Sequence, residues 1–515
     1  MSLKNKVIKS VFSNWAGLLI SILVSFFLAP YVVHKLGNTF YGIWSIINQF
    51  TGYLYLFDLG IRESVIRYTA KYQSGENSKK LEDILKASFY IYLVIAAMCL
   101  LVTVLLAYVF TDVFDVDPEL ATQSGIAILF VGGTIAQVFI FNVFNGLLMG
   151  YQRYDIFNVV QIIGTLIRTL FFVIALEMGY GIVALSAIQF FVSLFTGFIM
   201  SRMALKLAAT NGVYFSFKIP KFSALKSTLS KVYNYSVYVL INNIGQKIIF
   251  TTDAIVIGLF MPVASVTFYA IAGTLVDYLR RLSIISAEIL NPLVSHYSAN
   301  NDDEKIHYAM VTGAKLTLFI ALPISATFVI LGSNFIGLWM GPEFAKTSGE
   351  VLLILAVAQA LSAPHQSVTS VLYGLNKHKT LAHFRIVEAI ANLILSISLI
   401  HSYGIVGVAL GTAIPHIILV SLVLPLYATR VVGIRFSTYL IQGYLRPIVA
   451  IVPFVFLCLY IKDNMLPESL LSFFLYIVII SLFYLLVSYV VIFTKDERGS
   501  LNRSLIGIYN RKFKK

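Results

Sequence analysis

Apolar segments of about 20 to 25 residues recur along nearly the whole chain, and short polar stretches separate them. Each segment is long enough to cross the ~30 Å hydrocarbon core of a bilayer as a helix. The pattern therefore predicts an all-α polytopic membrane protein. Fourteen transmembrane helices are predicted, at residues 11–34, 40–61, 87–110, 123–149, 154–177, 181–205, 233–260, 263–291, 309–332, 348–373, 379–401, 404–428, 446–462 and 470–494.

The two halves of the chain resemble each other. A stretch that begins at Met149 and reaches Val183 matches one that begins at Tyr373 and reaches Val406, and both end in Tyr-Gly-Ile-Val. Helices 1–6 then match helices 7–12. Because six is even, both halves enter the membrane in the same sense. We expect two six-helix lobes related by a pseudo-twofold axis along the membrane normal, around a central cavity, with two further helices at the C-terminal end.

These matches suggest five parts of the chain. The predicted boundaries are 1–207 for the N-lobe, 208–232 for a cytoplasmic linker, 233–430 for the C-lobe, 431–494 for helices 13 and 14, and 495–515 for a basic cytoplasmic tail.

The basic residues are distributed unevenly. The chain has a formal charge of +14, and the predicted gap Arg62–Lys86 holds six basic residues. The predicted outer loop Thr111–Thr122 holds four acids and no base. Lysine and arginine favour cytoplasmic loops, so both termini are predicted to be cytoplasmic. The positive charge is therefore an orientation signal, and no nucleic-acid partner is expected.

Several charged residues fall inside predicted helices, where an unpaired charge costs roughly 2.5–3.5 kcal/mol at mid-membrane. Lys315, Asp58 and Glu288 lie near cytoplasmic ends, where they can snorkel or cap. The others are Arg168, Lys247, Arg280, Arg281, Arg385, Asp253, Asp277 and Glu388.

Four basic residues lie nearer the middle of the membrane: Arg168, Lys247, Arg280 and Arg281. Asp277 and Arg281 are spaced i, i+4 and can pair on one helix face. Arg280 points about 100° away from Arg281 and is expected to need another partner. Structural pairing and a cationic cavity wall both explain these residues. We take the four basic residues and Asp277 as candidate substrate contacts.

No motif for soluble-enzyme chemistry is present: there is no P-loop, no HExxH and no GxSxG. Asp115-Val116-Asp117 imitates a nucleotide-sugar DxD motif, but it lies in a short outer loop. The longest predicted outer loop, Leu331–Thr347, is too short for the external catalytic loop of a glycan polymerase. We therefore expect no catalytic residues.

Four segments carry a resemblance to a known family: Phe27-Leu28-Ala29-Pro30, Leu36–Trp44, Leu56–Ile61 and Gly150–Tyr154. They resemble the bacterial polysaccharide-biosynthesis flippases, often called Wzx, of the multidrug/oligosaccharidyl-lipid/polysaccharide exporter superfamily. The resemblance implies a protein of the cytoplasmic (inner) membrane. Its substrate would be a polyprenyl-pyrophosphate-linked oligosaccharide, moved from the inner to the outer leaflet by alternating access. Its partners would be that lipid-linked oligosaccharide, the phospholipid bilayer and other polysaccharide-assembly proteins.

The resemblance also suggests ion coupling. Some relatives in the superfamily bind sodium among helices 7, 11 and 12, and the nearest matches here are Asp253, Glu388, Asn392 and Thr412. These four residues are a candidate Na⁺ site, with a proton as the alternative coupling ion; no other cofactor is expected. The competing interpretation is that Glu388 pairs with Arg385, one turn away.

Three other functions remain open. A drug or metabolite antiporter of the same superfamily would share the fold, although pumps for cationic drugs favour acidic cavities. A membrane glycan polymerase or acyltransferase is disfavoured by the short outer loops. A scaffold within a glycan-assembly complex is not excluded by any sequence feature.

The charge asymmetry predicts the labelling of two engineered cysteines. Cysteine at Asp115 should react with an impermeant reagent added to intact cells, whereas cysteine at Lys79 should react only after permeabilisation. Labelling of both from outside would contradict the fourteen-helix topology.

Overall fold

The computed structural model describes residues 3–72, 78–216, 218–219, 244–288, 290–495 and 497–499. Within these ranges the chain forms helices and no β-strand. Ten helical segments of the described chain are long and apolar enough to span a membrane. The protein is therefore an all-α, multi-pass membrane protein, as the sequence predicted. The count of fourteen helices and the six-helix repeat stay predictions.

The chain divides into two compact units, Met1–Thr267 and Phe268–Lys515. The helices of the first unit are α1 (Leu3–Leu54), α2 (Ile61–Tyr72), α3 (Ser78–Val113), α4 (Pro118–Gly150), α5 (Tyr154–Glu177), α6 (Ile182–Thr210), α7 (244–260) and the start of α8 (Ala264–Glu288). Helix α5 has the predicted bounds. The predicted lobe boundaries stay a prediction, and residues 220–243 of the predicted linker and first part of helix 7 lie outside the described residues, as does most of the predicted tail.

Two breaks shape helix α1. At Gly37 the backbone adopts φ 78° and ψ 165°, so the helix is interrupted between the predicted helices 1 and 2. A second break follows at a short 3₁₀ turn, Tyr55–Asp58, where Leu59 and Gly60 both have positive φ. A left-handed residue ends a helix because the next amide can no longer continue its hydrogen-bond ladder. Helix α2 therefore starts in a new direction.

The second unit continues α8, and its described residues form nine more α-helices. They are α9 (Leu290–Ala299), α10 (Asp303–Met340), α11 (Pro342–Ser362), α12 (His365–Gly374), α13 (His378–Pro415), α14 (Leu424–Val432), α15 (Phe436–Leu440), α16 (Arg446–Asn464) and α17 (Leu470–Val491). Two wider π-helical segments, His416–Val423 and Ile441–Leu445, connect α13 to α14 and α15 to α16.

Predicted helix 10 is divided in the structure. Helix α11 ends at Ser362 and α12 begins at His365, with Pro364 between them. A proline lacks the amide hydrogen that would continue the ladder, which explains the break. Helix α13 in turn is interrupted at Gly404, where φ is 57°, between the predicted helices 11 and 12.

Many large apolar side chains lie on the outside of the helices. Tyr108 is 82% exposed and Leu471 is 79% exposed, and both belong to segments of membrane-spanning length. Extended apolar surface of this kind is unfavourable in water but matches hydrocarbon. The exposed faces are therefore the lipid-facing surface of each unit.

A buried ion pair joins α10 to the segment that follows α17. Lys315 Nζ lies 3.2 Å from Glu497 Oε1, and Glu497 also accepts a hydrogen bond from the Thr494 amide at 2.7 Å. Burial raises the pKa of the Glu497 carboxyl, but the Thr494 amide and Lys315 lower it by more, so the net pKa lies below its ordinary value. The lysine is therefore paired inside the protein rather than snorkelling to water.

The turns that follow α4 and α12 have the same local structure. Gln152 and Asn376 both have positive φ, at 59° and 57°. The Arg153 amide donates to Leu148 O at 3.0 Å, and the Lys377 amide donates to Leu372 O at 2.8 Å. Each turn lies in one of the two stretches whose sequences match.

A glycine in the last turn of each helix permits close packing. A Cβ at Gly150 would lie 2.4 Å from Thr69 Cβ of α2, and a Cβ at Gly374 would lie 2.8 Å from Val294 Cβ of α9. Real Cβ atoms do not approach so closely, so glycine is required at both positions. The helix pairs α2–α4 and α9–α12 depend on this contact.

Substitution of Gly150 by alanine should destabilise the protein by about 1–3 kcal/mol, the typical cost of overpacking. The matched control is Gly125→Ala in the same helix, where the added Cβ meets nothing nearer than Ala107 O at 3.7 Å. Unfolding of the two purified variants in detergent measures the difference. Equal stability of both variants would contradict the close α2–α4 contact.

Candidate functional site

Arg168 lies in the membrane-spanning helix α5 and is half-buried. Within the part of the chain that the structure describes, no carboxylate forms a salt bridge with it. Tyr55, in the 3₁₀ turn that follows α1, is an ionisable side chain within electrostatic range of Arg168. A guanidinium in hydrocarbon without an acidic partner is costly, which makes Arg168 a candidate contact for an anionic ligand.

Lys247 lies on α7 in the first unit, beside helix α1. Its Nζ is 3.3 Å from the position that a Cβ at Gly52 would take. The Tyr53 hydroxyl donates to Lys247 O at 3.4 Å and also pairs with the Thr252 hydroxyl. The lysine ammonium therefore lies against α1 at Gly52.

Asp277, Arg280 and Arg281 form one cluster on α8. Asp277 Oδ1 is 2.5 Å from Arg280 Nη2, and Asp277 Oδ2 is 2.6 Å from Arg281 Nε. The sequence analysis expects Arg280 to need another partner, and in the structure Asp277 is one of its partners. Positions i+3 and i+4 lie about 60° and 40° to either side of position i, so both guanidiniums reach the same acid. The cluster contains two cations and one anion.

Glu388 on α13 is the centre of a buried network in the second unit. Its side chain is 1% exposed. Oε2 accepts a hydrogen bond from Arg385 Nη1 at 2.8 Å, and Oε1 lies 2.5 Å from His416 Nδ1. The interpretation that Glu388 pairs with Arg385 is confirmed, and His416, from the π-helical segment after α13, is an additional partner.

A second histidine extends this network. Arg385 Nη2 lies 2.8 Å from His365 Nε2, so His365 accepts this hydrogen bond on Nε2. His365 Nδ1 then carries the proton and donates to Ser362 O at 3.0 Å. The four side chains connect α12, α13 and the π-helical segment by hydrogen bonds. The low dielectric constant of the protein interior makes such bonds stronger than they are in water.

The candidate sodium ligands are divided between the two units. Asp253, 6% exposed, belongs to the first unit. In the second unit, Asn392 Nδ2 donates to Thr412 Oγ1 at 2.9 Å, and Asn392 Oδ1 is buried without a hydrogen bond from any described residue.

The oxygens of Glu388, the remaining candidate, already accept hydrogen bonds from Arg385 and His416. The described residues contain no cluster of three or more metal-binding side chains. The Na⁺ site stays a prediction.

The structure also shows a polar cavity that the sequence did not identify. It has a volume of about 330 Å³ and lies in the first unit, with walls from the 3₁₀ turn Tyr55–Asp58 and from α2, α4, α5 and α6. Asn142 and Asn145 contribute to it from α4. Their i, i+3 spacing inside an otherwise apolar helix was the available signal, because such a spacing puts both amides on one face.

A family comparison identifies the class of protein. The described helices form an all-α, multi-pass membrane protein, and a family model described as "Polysaccharide biosynthesis protein" matches residues 7–298. The match covers more than half of the chain. The chain therefore belongs to this family, as its resemblance implied.

Two curated relatives have transporter names. The flippase Agl15 of low-salt glycan biosynthesis in Haloferax volcanii is 29% identical over 199 residues, which cover 39% of this chain and 41% of that protein. The chain thus spans less than half of Agl15. An O-antigen transporter of Shigella flexneri is 22% identical over 83% of this chain and 99% of its own length. Both are named for transport rather than for an enzymatic reaction.

Solved structures share the fold. The lipid II flippase MurJ, in an inward closed conformation, aligns with a TM-score of 0.73 over 94% of this chain and 98% of MurJ, at 16% identity. An inward-facing multidrug transporter of the MATE family and MOP superfamily aligns with a TM-score of 0.65 over 81% of this chain and 94% of its own, at 13% identity. At these identities the likeness establishes the fold alone.

Loss of one partner from the buried network should unfold the second unit readily. Arg385→Met removes the guanidinium from the buried Glu388 and leaves His416 as its remaining partner, which should cost up to about 3–5 kcal/mol. Removing both charges in Arg385→Met/Glu388→Met should restore part of that loss. The control Lys305→Met, in an exposed pair with Asp302, should leave stability unchanged. Unfolding in mixed micelles measures all three, and a stable single variant would contradict a charged pair.

Proposed function

We propose that this protein is a flippase that moves a polyprenyl-pyrophosphate-linked oligosaccharide from the inner to the outer leaflet for surface polysaccharide assembly. Membership of the polysaccharide biosynthesis family supports this substrate, as do the names of the two curated relatives. Alternating access is the proposed mechanism, since the fold is shared with known transporters.

One observation about charge carries the proposal. Arg168 is a guanidinium in an apolar helix with no salt-bridge partner among the described residues, and on α8 two guanidiniums share the one carboxylate of Asp277. The Arg168 arrangement leaves positive charge in the membrane, whereas Arg280 and Arg281 are held beside Asp277. A pyrophosphate supplies the missing negative charge, and guanidinium groups bind phosphate oxygens in bidentate fashion. A cationic drug would be repelled by the same groups.

The other parts of the substrate have separate requirements. The glycan carries hydroxyl groups that are costly to desolvate without hydrogen-bond partners, whereas the lipid tail is stable in the bilayer. The protein therefore needs to surround only the head group. We propose the cytoplasmic (inner) membrane as the location, with both termini in the cytoplasm, and other polysaccharide-assembly proteins as partners.

The second candidate function is a drug or metabolite antiporter. The likeness to the multidrug transporter favours it at the level of the fold. The two functions differ in the charge of the substrate. Accumulation of a fluorescent cationic dye should be the same in cells with and without this protein if it is a glycolipid flippase.

The primary experiment is conditional depletion of the protein in its native cell. Lipid-linked oligosaccharide should accumulate, and a membrane-impermeant glycan-modifying enzyme should reach it only after spheroplasts are lysed. Unchanged levels of that lipid together with normal surface glycan would contradict the proposed function.

Charge removal tests the residues. Replacing Arg168, Lys247, Arg280 or Arg281 by glutamine should each reduce translocation about tenfold or more, because a charge-assisted hydrogen bond contributes ~1.5–3 kcal/mol. The matched control is Arg202→Gln, at an exposed position of α6. Translocation in proteoliposomes and protein level are measured together. Normal translocation by all four variants would rule out the cationic contacts, and loss of protein would favour structural pairing.

A further inference from the structure

The polar cavity of the first unit is formed where helix α1 ends. The 3₁₀ turn Tyr55–Asp58 and the left-handed Leu59 redirect the chain, and Tyr55 and Asp58 line the cavity from this turn. Its volume of about 330 Å³ lies at the lower end of the ~300–1,000 Å³ range of small-molecule sites. The cavity is therefore large enough for a small ligand or a group of ordered waters.

The walls are closely packed helices. A Cβ at Gly197 of α6 would lie 2.1 Å from a ring carbon of Phe141 on α4. A Cβ at Gly164 of α5 would lie 2.7 Å from Thr196 Cγ2 on α6. Glycine at these two positions brings α4, α5 and α6 together, so three of the cavity's walls are closely packed against one another.

Two asparagines of α4 are its most buried polar groups. Asn142 is 6% exposed and Asn145 is 8% exposed. Asn145 Nδ2 donates to Asn142 Oδ1 at 3.4 Å, while Asn145 Oδ1 accepts no hydrogen bond from any residue that the structure describes. A buried acceptor without a donor costs about 1–3 kcal/mol, and native proteins rarely leave such a group without a hydrogen bond. The amide is therefore suited to a ligand with hydroxyl donors.

The charge of the cavity differs from that of the cationic groups described above. Asp58 and Arg62 both line it and have opposite charges, and each already has a protein partner: Tyr92 donates to Asp58, and Arg62 pairs with Glu63. The lining residues Asp58 and Arg62 together offer no excess positive charge for a phosphate. A neutral ligand is the better match.

The uncharged lining groups can both donate and accept hydrogen bonds. They are the amides of Asn142, Asn145 and Gln161 and the hydroxyls of Ser193 and Thr196. A sugar hydroxyl also donates and accepts, so amides and hydroxyls satisfy it fully. The aromatic rings of Tyr55, Phe141 and Phe157 supply apolar faces for the C–H side of a pyranose ring.

We propose that this cavity binds one neutral pyranose unit of the glycan, with Asn142 and Asn145 as its principal hydrogen-bonding residues. The inference rests on the proposed function, in which the substrate carries an oligosaccharide. It adds a sugar subsite in the first unit that is separate in chemistry from the cationic pyrophosphate contacts.

The test is binding of simple sugars to the purified full-length protein in detergent. The probes are methyl glycosides of glucose, galactose, mannose and N-acetylglucosamine, and saturation-transfer NMR measures their binding. At least one glycoside should bind, and Asn145→Ala should weaken it about tenfold or more, as expected for loss of buried hydrogen bonds. Asn142→Ala is a second variant in case Asn145→Ala does not fold.

The matched control is Thr134→Ala. Thr134 is another buried polar residue of α4, its hydroxyl donates to Phe130 O at 2.9 Å, and it does not line the cavity.

The outcomes are separable. Weakening by the asparagine variants but not by Thr134→Ala supports the sugar subsite. Absence of binding to the wild type, or equal binding by all folded variants, overturns it and leaves the cavity to water. Neither result depends on the depletion experiment, so the flippase function can stand while the subsite fails. Glycoside binding without accumulation of lipid-linked oligosaccharide on depletion would instead contradict the flippase.

Discussion

Every polar group in the hydrocarbon region must find its partner inside the protein, and this requirement governs both units. It selects helices, because a helix satisfies its own backbone amides and carbonyls. It also explains why the buried Glu388 has two partners and why Lys315 reaches Glu497 across the sequence. Within the described residues, Arg168, Asn145 Oδ1 and Asn392 Oδ1 are among the exceptions to the rule. For Arg168 and Asn145 we propose that a ligand supplies the partner.

Much of the fold could be predicted because the constraint acts on composition. Helix α5 has the predicted bounds, and the breaks at Gly37 and Gly404 fall between predicted helices. The residues at which helices begin and end were less predictable. Helix α10 extends beyond its apolar core at both ends, because helical hydrogen bonding continues where hydropathy already falls. The break at Pro364 divides an apolar segment that hydropathy alone treats as one.

The candidate site was predictable by residue type but not by partner. A charge in an apolar run can be identified in the sequence, as with Arg168, yet its partner is fixed by packing. His365 and Arg385 are twenty positions apart and meet only because α12 packs on α13. Neutral polar residues give a weaker signal still. Asn145 costs less to place in a membrane than a charge does, so its i, i+3 spacing from Asn142 was a weaker signal than a charged residue gives.

The π-helical segment His416–Val423 has a consequence for how this chain is compared with others. A π-turn holds one residue more than an α-turn, and one residue corresponds to about 100° of rotation. Helix α14 therefore starts out of phase with α13. An apolar stripe extrapolated through Pro415 assigns the wrong side of α14 to lipid. When this chain is aligned with a sequence whose helix is α-helical throughout, a one-residue gap within this segment keeps the faces of α14 in register.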